Sequence, residues 1–407
     1  MLGKLDIGGL YSPNKRIAAS ERIFGYRQLT LVLLALVAWV FRQVIDAYPL
    51  KIEYGYSRLL YPYLAEGLAW IPRLTPGTVS ASEAALILGA VAALAWLGFR
   101  FYRAGLHGRE LAVVFVKIIV NGSALLAGLY FVYQMGWGLN YLRADFAGAL
   151  FHGEETAAAV PLDYMDYEGM ARDMMALAND LQRNFDDRPA RRWLRELDPL
   201  VDDSIRRVGN LTRPDLLPRP PPTKILMANE VLSMFGISGF FSPFLMEPHV
   251  NANLLPWELP VVMAHEKAHF MGFASETDAN LAAYITCLRS SSDHLRYAGA
   301  VRVLLALNRL IGDERWQELV RDGLSERVKG DIRARNERIL GYRRRYLRLF
   351  KIQRRINDFY LRLNSQELGV DSYGAGLDPL VRWWRSRQVS GRARPPGGVP
   401  LPVVLFR

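Results

Sequence analysis

From Ile118 to Leu142 the chain runs without a charged side chain, and reaching back to Leu111 adds only Lys117. A helix of that length crosses about 30 Å of hydrocarbon, where the backbone can satisfy its polar groups only within the helix itself. The stretch therefore predicts a transmembrane helix. Val79 to Phe99 predicts a second, interrupted only by Glu83 near its start, where the carboxylate lies at the interface. Gln28 to Phe41 is shorter, but Arg42 can snorkel and let a first helix continue through Ile45. The long leader before that run, with no small-residue cleavage site after it, predicts an uncleaved anchor rather than a signal peptide.

Short-loop charges set the expected orientation. Lys4, Lys15, Arg16, Arg22 and Arg27 precede the first span, and Arg100, Arg103 and Arg109 lie between the second and third, so both segments are expected in the cytoplasm. The Tyr-, Trp- and Pro-rich loop 51–80 suits an interfacial segment on the outer face. The resulting division is a cytoplasmic segment 1–27, a membrane domain 28–142 with three transmembrane helices, an extracytoplasmic domain 143–389 and a flexible tail 390–407. The protein is expected in the cell membrane, multi-pass. The net charge of +11 is concentrated: residues 321–355 hold thirteen Arg and Lys against four Asp and Glu. Long domains translocate largely regardless of such charge.

In the soluble part, residues 165–209 alternate charged and apolar positions at helical spacing and predict two surface helices. RPDLLPRPPP, 213–222, is a linker, since proline removes a donor and fixes its torsion. KILMA and MEPHVNANL are strand candidates either side of GISGFFSPF, and Glu247 to Asn253 serves either as an edge strand that pairs with an extended peptide or as an internal one. Ile332 to Leu363 spaces Ile339, Tyr342, Tyr346, Phe350, Ile356, Tyr360 and Leu363 as one long amphipathic helix with an arginine-rich outer face. The expected fold is mainly α: three transmembrane helices, then an α+β soluble domain with a small sheet in which the His265-Glu266-x-x-His269 (HExxH) pattern predicts the active-site helix of a zincin-like fold.

That helix is VVMAHEKAHFMGF. One cysteine, Cys287, excludes a disulfide framework and a multi-cysteine metal site, so a bound metal needs His and carboxylate ligands. His265 and His269 stand four apart, so both imidazoles project from one helix face and can share a Zn²⁺, one per chain. Glu266 sits beside the metal as the general base for zinc-activated water attacking a peptide bond. Gly272 can end the helix in a left-handed cap. Glu276, opening the apolar helix ETDANLAAYITCL behind the Ser275 cap, is the expected third ligand, with Asp278 as the fallback. Its E-x-x-A-N pattern resembles the helix that supplies the third ligand in several Glu-zincin families. Ser275, where metzincins place a third His, argues against that clan. Lys267 departs from the usual uncharged middle positions and is expected to point to solvent. Tyr373 is the candidate oxyanion donor, with Tyr360, His294 and His249 behind it. The same pattern also fits ordinary histidines on an amphipathic helix with acids at a helix N-terminus.

Taken together, IEYGYSRLLYP, WGLNYLR, GISGFFSPFLMEPHVN, AHEKAHFMGFASETDAN and INDFYLRLNSQELGVDSYG resemble the bacterial membrane proteins grouped as domain of unknown function 3810, over nearly the whole chain. The resemblance implies a three-span anchor and a zinc peptidase domain carried on His265, Glu266, His269 and Glu276, and supplies no substrate. Three functions compete: a membrane-bound zinc metallopeptidase acting on peptide or protein substrates; a non-catalytic zinc-binding envelope protein whose basic helix binds membrane lipid or a protein partner; and a metal-dependent hydrolase of a non-peptide amide in cell-wall material. Nucleic acid is not an expected partner, because no nucleic-acid fold accompanies the basic patch.

Overall fold

Apolar length decides the first elements. The computed structural model of the protein describes residues 25–76, 79–104, 108–150, 161–182, 190–210, 218–363 and 377–392. Its N-terminal part forms α1 (Tyr26–Ile45), α2 (Tyr61–Leu68), α3 (Ala81–Ala104) and α4 (Gly108–Gly136). Among the described residues, α1, α3 and α4 are the helices long and apolar enough to cross a membrane. Leu36, Leu88 and Leu126 on them are exposed, as lipid-facing side chains are.

Packing divides the chain into two compact units: the described residues of Met1–Val44 with Ala84–Met135, and those of Ile45–Glu83 with Gly136–Arg407. The sequence grouped 28–142 as one membrane region, whereas Ile45–Glu83 packs with the residues after Gly136. Ile52, Tyr61 and Ala65 are buried there. The fully buried Lys224 ammonium shows why: it donates to the carbonyl oxygens of Pro72 (2.8 Å) and Thr75 (2.7 Å) and to Thr75 Oγ1 (2.9 Å). A buried cation must find such partners or lose its charge, and burial does pull its pKa down. WGLNYLR also differs from expectation. The third apolar helix stops at Gly136, and Gly138–Leu142 is a buried 3₁₀ turn of the second unit.

The second unit continues with α5 (Tyr164–Leu181) and α6 (Ala190–Asn210), the two helices expected over 165–209. A reciprocal cap opens α5, in which Asp163 accepts from the Asp166 amide while the Asp166 carboxylate accepts from the Asp163 amide. Next come β1 (Lys224–Ile225), α7 (Asn229–Phe235), β2 (Gly239–Ser242) and β3 (Glu247–Val250). The sheet order is β1-β3-β2, with β1 parallel and β2 antiparallel to β3, and Phe240 opposite His249. The buried β3 is therefore the central strand, so the edge-strand reading of Glu247 to Asn253 is replaced by the internal one. The edges are β1 and β2, and β2 lies inside the GISGFFSPF between the two strand candidates.

Among the described residues, the α-helices that follow β3 are α8 (Leu259–Phe270), α9 (Glu276–Leu288), α10 (Asp293–Ile311), α11 (Asp313–Gly323), α12 (Glu326–Arg345), α13 (Leu347–Leu363) and α14 (Leu377–Arg392). α8, α9 and α10 pack on one another, α8 and α9 also on α6 and α10 on α5, with Met263, Phe270, Leu281, Val301 and Leu304 fully buried. Close-packed apolar interiors of this kind hold side chains to one arrangement, and the metal-site candidates stand on α8 and α9. The single long helix expected over Ile332 to Leu363 is broken at Tyr346 (φ −124°, ψ 36°). Part of the 213–222 linker lies outside the described residues. In the expected flexible tail, α14 runs through Arg392 and the remainder lies outside them too.

Candidate metal centre

Pro260 sits in the first turn of α8, where its missing amide costs nothing. Gly272 ends the run at φ +82°, a conformation side chains rarely adopt. Between them, the four-residue spacing brings His265 and His269 to one side, ring centroids 4.7 Å apart and nearly perpendicular at 85°. The Gly272 turn reverses the chain. Ser275 Oγ then accepts from the Asp278 amide and caps α9, so that Glu276 faces back toward α8. Glu276 Oε2 lies 3.2 Å from His265 Nε2, and its Oε1 lies 3.9 Å from His269 Nε2.

One ligand atom from each of His265, His269 and Glu276 falls within 4.8 Å of the others, so the group can hold a metal ion. Two imidazole nitrogens and a carboxylate oxygen suit a divalent ion such as zinc and leave a coordination position for substrate or water. His269 fits the role further: its Nδ1 lies 2.8 Å from the Phe273 carbonyl, which fixes Nδ1 as the protonated nitrogen and leaves Nε2 with a lone pair. Burial, then the neighbouring His265, pushes the His269 pKa down to about 4 and keeps the ring neutral. For His265, burial lowers the pKa, but the hydrogen bond and charge of Glu276 win and raise it. Asp278 does not join the group. Its carboxylate accepts from the Phe146 amide at 3.0 Å, and burial pushes it up to about 6.

Glu266 lies outside the three-residue group and is buried. That burial, opposed by His265 and reinforced by Glu276, pushes its carboxyl up to about 8. Sequence reasoning missed the residue that makes room for it. A Cβ on Gly239, at the start of β2, would stand 2.7 Å from Glu266 Oε1, from the His249 carbonyl and from Val262 Cγ1 alike. Only glycine lets the edge strand come this close. The glycines of GISGFF were the available signal.

Lys267 corrects its expectation. Instead of reaching solvent it is fully buried, paired with Asp198 at 2.8 Å and with Asp202, both on α6. Three residues from segments earlier in the chain secure its far end. Tyr61 donates to the Phe270 carbonyl (2.7 Å), Trp137 Nε1 to the His269 carbonyl (3.1 Å) and Arg143 to the Gly272 carbonyl (3.1 Å). These carbonyls stand at or just past a helix C-terminus, where the i+4 amide of a continuing helix is missing, although the His269 carbonyl also accepts from the Gly272 amide at 3.0 Å. Arg143 is itself held by Glu53 at 2.8 Å.

The weaker oxyanion candidates are placed elsewhere. His249 is buried in β3, stacked on Phe240 with centroids 4.3 Å apart, and its Nε2 meets both Ser80 Oγ (2.9 Å) and Glu247 Oε2 (3.2 Å). Ser80, His249 and Glu247 do not form a nucleophilic relay, because serine and acid share one ring nitrogen. Glu247 instead accepts from the Ala81 and Ser82 amides at the start of α3. His294 packs against the Trp193 ring at 4.5 Å. Tyr360 lies on α13 with its side chain undescribed, and Tyr373 lies outside the described residues.

No curated protein and no solved structure matches the chain. A family model matches residues 56–381, a range that runs from the π-helix Ile52–Leu60 before α2 through the candidate metal centre into α14. On that match the chain belongs to the family described as protein of unknown function (DUF3810).

Proposed function

We propose that this chain is a membrane-anchored zinc metallopeptidase with a zincin-like catalytic domain. The observation that carries the reading is the convergence of one ligand atom each from His265, His269 and Glu276 within 4.8 Å, with the Glu266 carboxyl on the same helix and outside the group. Zinc bound there would supply Lewis acidity, polarising a carbonyl and acidifying water. The chain's own residues do the rest. Glu266, next to His265 and shielded from bulk water, would be held ionised by the dication beside it despite its raised pKa, and so take a proton from the attacking water and return it to the leaving amine. Phe273, through its carbonyl, holds His269 in the tautomer a ligand needs. β2 offers an edge of the sheet, and an extended peptide added to it would run past Gly239 and therefore past Glu266. The three apolar helices serve as the anchor, with the metal centre on the extracytoplasmic side.

Elemental analysis of the purified full chain should find about one zinc per chain, lost in the His265→Ala, His269→Ala double variant. Glu266→Gln should keep that zinc and lose cleavage of a peptide library. A metal-free wild type overturns the metal centre. Cleavage by Glu266→Gln at the wild-type rate overturns the peptidase, and zinc without any cleavage in the wild type favours the non-catalytic envelope protein. An alkaline phosphatase fusion after Arg143 should be active, and activity only in a cytoplasmic reporter reverses the placement.

A further inference from the structure

α13 turns three different faces to its surroundings. Phe350 and Leu361 fasten it inward: Phe350 Cε1 lies 2.4 Å from where a Cβ on Gly236 would stand, and Leu361 is fully buried. Outward, Ile352, Ile356 and Phe359 follow one another at helical spacing and are 46%, 63% and 65% exposed. Beside that stripe, also at helical spacing, run Arg348, Lys351 and Arg355, all exposed. No ion pair engages these three cations among the described residues. Arg343 and Arg344 at the end of α12 extend the same positive charge, and both are exposed.

An aqueous surface has no use for a contiguous Ile, Ile, Phe stripe on a helix this strongly charged. A nucleic acid would use the cations and not the stripe. An anionic bilayer uses both, the apolar stripe entering the acyl boundary and the cations meeting headgroup phosphates. The same chain carries three membrane-length helices, so such a surface is always available at high local concentration. We propose that α13 is an interfacial helix that docks on an anionic lipid surface through Ile352, Ile356 and Phe359, with Arg348, Lys351 and Arg355 at the phosphates. The proposal is independent of whether the metal centre cleaves peptides.

The test uses the full chain in lipid nanodiscs, carrying an environment-sensitive fluorophore at Ile356→Cys. The native Cys287 is fully buried and escapes labelling. Lipid-borne nitroxides should quench the label about threefold more in discs containing phosphatidylglycerol than in phosphatidylcholine alone. The difference should vanish in about 1 M salt, where screening shortens to about 3 Å, and in the Arg348→Glu, Lys351→Glu, Arg355→Glu variant. The salt arm needs no variant and so stands even if the triple change disturbs folding. Equal quenching in both lipids, or none in either, overturns the proposal. A label at Gln317→Cys on α11 that is quenched as strongly also overturns it, because α13 would then not be the docking element. A spectral change that appears only with an added oligonucleotide reassigns the face to nucleic acid.

Discussion

The metal-facing side of α8 and the parts of the molecule that hold α8 in place are built in opposite ways. His265, Glu266, His269 and Glu276 lie within one helix, one glycine turn and the first residue of the next helix. Tyr61, Trp137, Arg143, Asp198 and Asp202 grip the same helix from segments up to 209 residues away along the chain. The chemistry is local and its positioning is not. A site assembled this way can be recognised in a short stretch of sequence yet cannot be built from one.

The harshest way to break that comparison is to express residues 143–389 alone, the domain that the apolar runs suggest. Such a fragment lacks Pro72 and Thr75, leaving the buried Lys224 ammonium without its acceptors, and lacks Ser80, Ala81 and Ser82, which satisfy the buried Glu247. It also loses Tyr61 and Trp137 from the end of α8. Each stranded buried charge costs several kcal/mol against a total stability of about 5–15 kcal/mol. The fragment should show no cooperative thermal transition and bind no zinc. A sharp transition would mean that the segments flanking the apolar helices are packing decoration.

Next in size is Lys267→Met. The lysine leaves behind two carboxylates of α6, one of them, Asp202, already raised in pKa by burial despite the attraction of Lys267. Breaking a buried pair from one side costs about 3–5 kcal/mol, whereas replacing all partners together is close to neutral. Thermal melts should therefore show a large loss for Lys267→Met and substantial recovery when Asp198→Asn and Asp202→Asn are added. No recovery would show that Lys267 matters for its packing and not for its charge.

Lys267 also marks where the sequence stopped being legible. The His265 and His269 spacing, the Gly272 stop and the Ser275 cap are consequences of chain-local geometry, and all are found in the structure. So are the apolar helices, because about 30 Å of hydrocarbon sets their length whatever follows. Lys267 looked awkward because its two acids lie on α6, and no periodicity in the HEKAH stretch points there. Trp137–Leu142 looked like the end of a span because a buried apolar turn and a lipid-facing one have the same composition. β2 was passed over because GFFS is short and glycine-led, and its place at the sheet edge depends on β3, eight residues further on.

Gly239→Ala sharpens the comparison at the point where the local and distant parts meet. The added methyl must displace the Glu266 carboxylate, the His249 carbonyl and Val262 together, and overpacking of that kind costs about 1–3 kcal/mol. Flexible Glu266 and Val262 yield more readily than the β3 backbone. The expected outcome is a moderate loss of thermal stability with zinc stoichiometry intact and a larger loss of peptide cleavage than of zinc. Equal loss of both would place the damage at the ligands rather than at Glu266.

Tyr61→Phe is the mildest probe and the most specific. It deletes one hydroxyl from a fully buried ring and leaves the ring's packing against Gly272 in place. The Phe270 carbonyl then loses a 2.7 Å partner, a change of about 1 kcal/mol for a neutral hydrogen bond. Phe270 is not a ligand, so zinc affinity should change by less than about threefold while the melting temperature falls by a few degrees. Trp137→Phe touches the carbonyl of His269 itself and also alters the ring edge facing that imidazole, 6.1 Å away. Groups that orient a ligand are typically worth about 10–100-fold in metal affinity, so the tryptophan should exceed the tyrosine in zinc binding, and the ring volume it loses from a buried site adds a stability cost of its own. If the two variants weaken zinc binding equally, the grip on α8 acts on the helix as a rigid rod. If only Trp137→Phe does, it acts through His269, and the distant half of the molecule tunes the local half one ligand at a time.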